Sequence, residues 1–460
     1  ERRGFVRHGG AVGTTGYPKI RRITTSVADF RGSAGASLVD IPLRSPELPL
    51  NHPNNLLNAS CHAAVVKKNS NVLKKLNAEL ARLDSAIVRD LPVLIIDDES
   101  DQASINTVNP SKNKSKEEVE RTAVNREITN LLKRFPRSQY VGYTATPFAN
   151  VFVDPDDPED LYPRDFALIL TEPPGYRGAA WFHDRHQQFE GDPEPTVETS
   201  RSMAFIRDIA ESPSKGLDEP DYGFEDVRTK ELQEALDMFV LTGAIKKFRE
   251  AHSNHYFEHH TMLVHEAVDT ATHEEAWTLL KGLWNRSNFA EGGRDAELKQ
   301  LFDEQVKPVM DVERYSEGAP VPPTFDDLKP NAFTNYITAA AQMMMGDSAE
   351  PPILQVNSIG GDEVDFERSP VWKVLVGGTK LSRGYTVEGL TVSYFRRKAG
   401  SADTLMQTGR WFGFRKGYQD LVRLYAPPSL VDMFEAAMGD ENHFRNMLEK
   451  YAELEADGKA

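Results

Sequence analysis

At 460 residues the chain exceeds the size at which one hydrophobic core usually keeps growing, so two or more domains are expected. Its 54 Lys and Arg against 70 Asp and Glu give a formal charge of -16, which excludes coating nucleic acid through bulk charge and leaves only a local basic surface for such contact. Cys61 is the single cysteine, so an intrachain disulfide and a multi-cysteine zinc site are both excluded.

No apolar run approaches the roughly 18 to 20 residues needed to span a bilayer, and the opening "ERRGFVRHGG" carries no signal-peptide core. The chain reads as soluble and cytoplasmic, with no membrane partner. It starts at Glu1 rather than Met, which reads as a fragment whose true start lies upstream.

In chain order, "AAVV" at 63–66 is a short strand signal, followed by Ser70 as an N-cap and a helix with Val72, Leu73, Leu76, Leu80 and Leu83 on one face. "PVLIID" is the next strand. A polar loop leads to a second amphipathic helix, marked by Val124, Ile128, Leu131, Leu132 and Phe135, and then to the strand "SQYVGYTAT". Strands alternating with helices of this length predict a parallel sheet covered on both faces, in a first α/β lobe spanning 1–172. Pro- and acid-rich stretches make 173–228 an irregular connector. A second α/β lobe follows at 229–428, with the strands "TMLVH", "PILQV", "VWKVLVGG", "LTVSYFRR" and "LVRLYA" and a helical insertion at about 270–345; residues 429–460 form a helical tail.

The run "LIIDDESDQ" sends a buried-strand pattern into Asp97, Asp98, Glu99 and Asp101. In parallel α/β sheets ligands gather at the carboxyl ends of strands. An Asp there can hold Mg2+ through its water shell, and an adjacent Glu can orient or deprotonate an attacking water. The plain alternative is a solvated acidic turn. The next strand ends in "GYTATPFAN", where Thr144 and Thr146 precede a strand-stopping Pro147. In the second lobe, Thr391 to Tyr418 holds six basic residues (Arg396, Arg397, Lys398, Arg410, Arg415, Lys416) and one acid, Asp403, reversing the charge of the whole. Arg410 and Arg415, interleaved with Trp411, Phe412 and Phe414, fit either charge stabilisation in phosphoryl transfer or a grip on a nucleic-acid backbone; a salt-bridged face over core aromatics is the structural alternative.

Taken together, Asp98-Glu99-Ser100-Asp101 resembles the DExD motif of superfamily-two helicases and "YTATP" their motif III. "GGTKLSRGYTVEGL" resembles motif V and "QTGRWFGFRKGY" motif VI. More narrowly, "IIDDESDQASINT", "LYPRDFALIL" and "GRWFGFRKGY" resemble the Z-one domain family, described as candidate endonucleases that accompany helicase-type ATPases in bacterial restriction and phage-defence systems. The resemblance implies two RecA-like parallel-sheet lobes of the P-loop NTPase class, with ATP and Mg2+ as cofactors and nucleotide hydrolysis as the activity. It assigns Asp98 to Mg2+ and Glu99 to water activation, with Arg410 and Arg415 as arginine-finger candidates. Asp101, Thr144, Thr146, Arg383, Gly384 and Gln407 would couple nucleotide to DNA, and Lys67, Lys68, Lys380, Arg396 and Arg397 would contact nucleic acid. The partners implied are DNA, in double-stranded form, and a separate nuclease or restriction subunit.

Two departures stand out. Gln407 lies two residues before Gly409 rather than three, and Arg415 five after Arg410 rather than three, so which arginine reaches phosphate is open. No G-x-x-x-x-G-K-[ST] phosphate loop occurs, which leaves the first lobe incomplete and places that element upstream of Glu1. Three functions therefore compete: a helicase-like ATP-driven motor or switch on DNA, a Mg2+-dependent DNA endonuclease using Asp97, Asp98, Glu99 and Asp101, and a scaffold docking a nuclease subunit. "HEAVD" at 265–269 nearly spells a zinc helix, but Asp269 stands where the second His belongs. Met343 to Met345 reads as helix packing.

Overall fold

The structure is a computed structural model that describes residues 20–24, 30, 39, 41–56, 60–101, 116–145, 161, 165–184, 194–211, 224–267, 270–331, 333–347, 350–356, 364–378, 387–397 and 402–456. The chain divides into two units, Glu1–Leu168 and Ile169–Ala460.

In the first unit β1 (Ile20–Arg22) pairs in parallel with β2 (Cys61–Ala63), two residues ahead of the expected "AAVV" strand. Helix α1 (Ser70–Leu80) is capped by Asn69 rather than Ser70: the Asn69 side chain accepts from the Asn71 and Val72 amides, so Ser70 is already the first helical residue. β3 (Val93–Asp98) and β4 (Ser138–Tyr143) pair in parallel, Asp97 opposite Gly142, with α2 (Lys116–Arg134) as the crossover between them. Val72 and Leu76 of α1 meet Leu131 and Ile95, and Leu73 meets Val124 and Ile128, as the helical spacing requires. The expected cover on both faces is not present among the described residues. Leu94 and Ile96 on one face of β3 are each 60% exposed, because period-two alternation turns them away from the helices that bury Ile95.

The second unit begins at Ile169, just before the end of the expected first lobe, and takes in the stretch the sequence marks as connector. β5 (Tyr176–Arg177) and β6 (Ile206–Asp208) precede α3 (Phe224–His252), β7 (His260–His265), α4 (Thr270–Ser287), α5 (Tyr336–Met345), β8 (Ile353–Val356), β9 (Trp372–Gly377) and β10 (Leu390–Phe395). There follow α6 (Ala402–Thr408), β11 (Gly413–Phe414), β12 (Arg423–Ala426) and α7 (Pro428–Ala456). Six strands form one sheet in the order β6-β12-β10-β7-β9-β8, and every pairing in it is parallel. β7, β10 and β12 are buried throughout, the signature of a parallel sheet covered on both faces. β9 and β10, consecutive in the chain, pair with opposite edges of β7.

Part of the expected connector is buried in the second unit. Phe182, Ala204, Phe205 and Ile206 enter the main core, and β6 pairs with β12 at the sheet edge. These elements are two to five residues long, too short to show a helix or strand period among the surrounding prolines and acids. The expected tail is helical as α7, and its Leu430, Val431 and Phe434 are buried in the same core.

Candidate functional site

The acidic run at the end of β3 is not a loose solvated turn. Asp97 is buried and spends both carboxylate oxygens: Lys68 Nζ donates to Oδ1 at 2.9 Å and the Tyr140 hydroxyl donates to Oδ2 at 2.6 Å. Lys68 also donates to the carbonyls of Asp98 (2.8 Å) and Glu99 (2.6 Å), clamping the chain where it leaves the strand. Glu99 adopts φ +54, the left-handed region that a non-glycine residue rarely enters, and the turn brings the Ser100 amide onto the Tyr143 carbonyl at 2.9 Å. Ser100 is buried against Gly142, where an added Cβ would lie 2.7 Å from its Oγ; no larger residue fits opposite this turn. Thr144 Oγ1 then donates to Asp101 Oδ1 at 2.8 Å.

The consequence is a division of labour. Asp97, Ser100 and Asp101 tie the turn to β4, while Asp98 and Glu99 are exposed, with the Asp98 carboxylate accepting from the Glu99 amide at 3.1 Å. Among the described residues no group of three His, Cys, Asp or Glu converges to hold a metal ion directly. One exposed carboxylate suits a Mg2+ bound through its water shell, whose remaining ligands come from water and phosphate. Tyr140 and Gly142 carry no sequence signal of this role except their register: Gly142 pairs with Asp97, and Tyr140 lies two residues before it.

In the second unit the arginine segment resolves into separate roles. Arg415 is 7% exposed and donates to the carbonyls of Arg410 (3.1 Å), Trp411 (3.2 Å), Phe412 (3.1 Å) and Phe414 (3.0 Å), so its guanidinium organises its own loop. Arg410 is half-buried and lies at the other end of that loop. Trp411 is fully buried against Phe395 and Phe434, and Phe412 packs at the edge of the same core, so these two are core aromatics; Phe414 is 58% exposed. β11 holds the loop from outside by antiparallel pairing with β5, Phe414 opposite Tyr176.

Arg396 is bound to Glu231 and donates to the Tyr394 hydroxyl at 2.7 Å, within a network that burial has closed off. Arg397 Nη1 donates to His265 Nε2 at 3.3 Å, which fixes that nitrogen as acceptor. Burial first, then the charge of Arg397 and the nearby His273, holds His265 down at a pKa of about 3, so it is neutral over the ordinary range. Lys67 is exposed, Gln407 is half-buried, and Lys68 is the clamp on Asp97. Thr146, Lys380, Arg383 and Gly384 lie outside the described residues.

Two buried groups went unread in the sequence. Arg249 and Asp420 form a bidentate ion pair (2.8 and 2.5 Å) with both side chains almost wholly buried, anchoring the segment after "GRWFGFRKGY" to α3. Lys246 is fully buried, donates to Thr391 Oγ1 at 2.9 Å and lies 3.8 Å over the Tyr418 ring; burial, then Arg415 and Arg249, pushes its pKa well down. Neither follows any short spacing rule. A polar cleft of about 540 Å3 opens between α3, α4 and residues 294–305, but Asp237 there is already paired with Arg294.

The molecule is thus an α/β protein with an acidic turn on a parallel strand and a six-stranded parallel sheet bearing an arginine-organised loop. The family model of the Z1 domain matches residues 231–460, half of the chain, and the protein belongs to that family. No curated protein and no solved structure matches it. Among the described residues no helix is long and apolar enough to cross a membrane.

Proposed function

We propose that the chain is a helicase-like, ATP-dependent module acting on DNA within a restriction or defence system, with its two units as RecA-like lobes of the P-loop class. The observation that carries this reading is the display of Asp98 and Glu99 at the carboxyl end of β3 while their three neighbours are tied down. Bound Mg2+ would supply charge neutralisation on the phosphates of ATP, held at Asp98 through water. Glu99 would orient the attacking water and take its proton. Arg410 and Arg415 are both finger candidates on this reading, and Arg415 would have to give up bonds to four carbonyls of its own loop to serve.

A metal-dependent endonuclease built on Asp97, Asp98, Glu99 and Asp101 fits less well. Two-metal cleavage needs carboxylates free to converge, and Asp97 has both oxygens engaged by Lys68 and Tyr140. The sequence contains no G-x-x-x-x-G-K-[ST], so on this reading the phosphates of ATP need a holder other than a loop of that pattern in these residues. The test is DNA-stimulated ATP hydrolysis by the full-length protein. Glu99→Gln should lower it at least about a hundredfold, the usual worth of a positioned base. Unchanged hydrolysis sinks the motor reading. Mg2+-dependent plasmid cleavage without nucleotide, lost in Asp98→Ala, favours the endonuclease instead, and normal assembly with a nuclease subunit without any nucleotide dependence favours the scaffold.

A further inference from the structure

Lys68 joins the displayed pair of acids to a different element. Its ammonium carries three protons, and three oxygens take them: Asp97 Oδ1 at 2.9 Å, the Asp98 carbonyl at 2.8 Å and the Glu99 carbonyl at 2.6 Å. No proton is left for a phosphate, so the role of this lysine is set by what it holds. Its own backbone is fixed in turn, because it directly precedes Asn69, which caps α1 and whose amide donates to the Lys67 carbonyl at 2.8 Å.

Glu99 is the residue that needs such a hold. Its φ of +54 lies in the left-handed region, which disfavours any residue with a Cβ and persists only where neighbours over-determine it. The Glu99 amide donates to Asp98 Oδ1 at 3.1 Å and its carbonyl accepts from Lys68, so both its backbone polar groups are engaged. The bond from the Ser100 amide to the Tyr143 carbonyl, at 2.9 Å, ties the turn to β4 but lies beyond the strained residue. The Glu99 side chain leaves its Cα between two fixed peptide groups and takes its direction from them.

We propose that Lys68 is a positioning residue: it maintains Glu99 in the left-handed turn and so aims the Glu99 carboxylate at the attacking water, without touching substrate. The inference rests on the proposed hydrolysis, in which Glu99 is the base. The alternative is a plain ion pair, in which Lys68 does no more than balance the charge of the buried Asp97.

Two arms separate them. The first is DNA-stimulated ATP hydrolysis by the full-length protein. Displacing a catalytic group by about 1 Å costs about a hundredfold, so Lys68→Met should lower kcat about ten- to a hundredfold and leave KM for ATP within about twofold. Lys68→Arg, which keeps a cation and its donors, should recover most of the rate. Adding Asp97→Asn to Lys68→Met removes the stranded charge and should recover stability but not kcat. Adding Glu99→Gln instead should make the loss of Lys68 silent, since a residue that acts through Glu99 then has nothing to position. Recovery of kcat along with stability reduces Lys68 to an ion-pair partner, and equal rate losses with and without the Glu99 carboxylate place its action elsewhere; either result overturns the inference.

The second arm needs no hydrolysis. Glu99→Gly relieves the left-handed strain and should raise the first unit's thermal midpoint by about 2 °C in the parent chain, but by less beside Lys68→Met, where the turn has already relaxed. Equal shifts in the two backgrounds, or no shift in either, overturn the hold on Glu99. A parent protein without ATP hydrolysis sinks the motor reading, and the thermal arm alone then decides whether Lys68 holds the turn.

Discussion

Lys68 shows how a residue's neighbours decide its role. Its charge and position next to Lys67 read as a nucleic-acid contact, yet its ammonium is 2.9 Å from the buried Asp97 carboxylate, 29 positions along the chain. No local spacing carries a pair so far apart, which is why the sequence showed the acids and not their anchor. Asp98 and Glu99 were legible because strand end and acid pair are adjacent; the Tyr140 hydroxyl and the Gly142 approach became visible only with the β3–β4 register. Removing one partner of a buried pair strands the other charge, at about 3–5 kcal/mol. Lys68 is 23% exposed and Asp97 keeps Tyr140, so Lys68→Met should cost the first unit less, about 2 kcal/mol. Chemical denaturation monitored by the first unit's signal checks this, and Lys68→Met with Asp97→Asn should recover part of the loss. A variant of unchanged stability but weakened DNA binding would return Lys68 to the nucleic-acid surface.

At the scale of elements, β7 begins and ends on a buried histidine, His260 and His265, one at each end of the central strand. His260 stacks on Phe239 at 4.4 Å with its Nε2 2.9 Å from the Phe239 carbonyl, and burial, then Lys246, pushes its pKa well down. Both rings are therefore neutral when folded and take up protons near pH 6.5 when unfolded. A depressed folded pKa means that the unfolded state binds the extra proton, so stability is fully present above about pH 6.5 and drains as pH falls toward 3 for His265. Each such histidine steepens the loss by up to about 1.4 kcal/mol per pH unit. His265→Gln, which cannot titrate, should show a smaller drop in thermal midpoint between pH 7 and 5 than the parent chain. The apolar strands themselves were legible as runs, whereas β5 and β6 were not: two and three residues cannot express a period, and only pairing with β11 and β12 gives them an identity.

For the molecule as a whole, the family match begins at residue 231, while the second unit begins at Ile169. The difference is physical, because residues before 231 complete the core. Phe182 and Phe205 are at most 1% exposed, Ile206 and Ile209 at most 6%, and β6 covers the edge of β12. Burying a large apolar side chain is worth about 1.5–3 kcal/mol, and whole-domain stability is only about 5–15 kcal/mol, so losing four such residues removes most of the margin. It also bares a sheet edge, an invitation to aggregate. A fragment of residues 169–460 should therefore unfold cooperatively, with dispersed side-chain resonances. A fragment of 231–460 should melt far lower or aggregate, although it carries every residue of the family match. Equal thermal midpoints for the two fragments would show that the β5 and β6 segment is an ornament on the unit rather than part of its core.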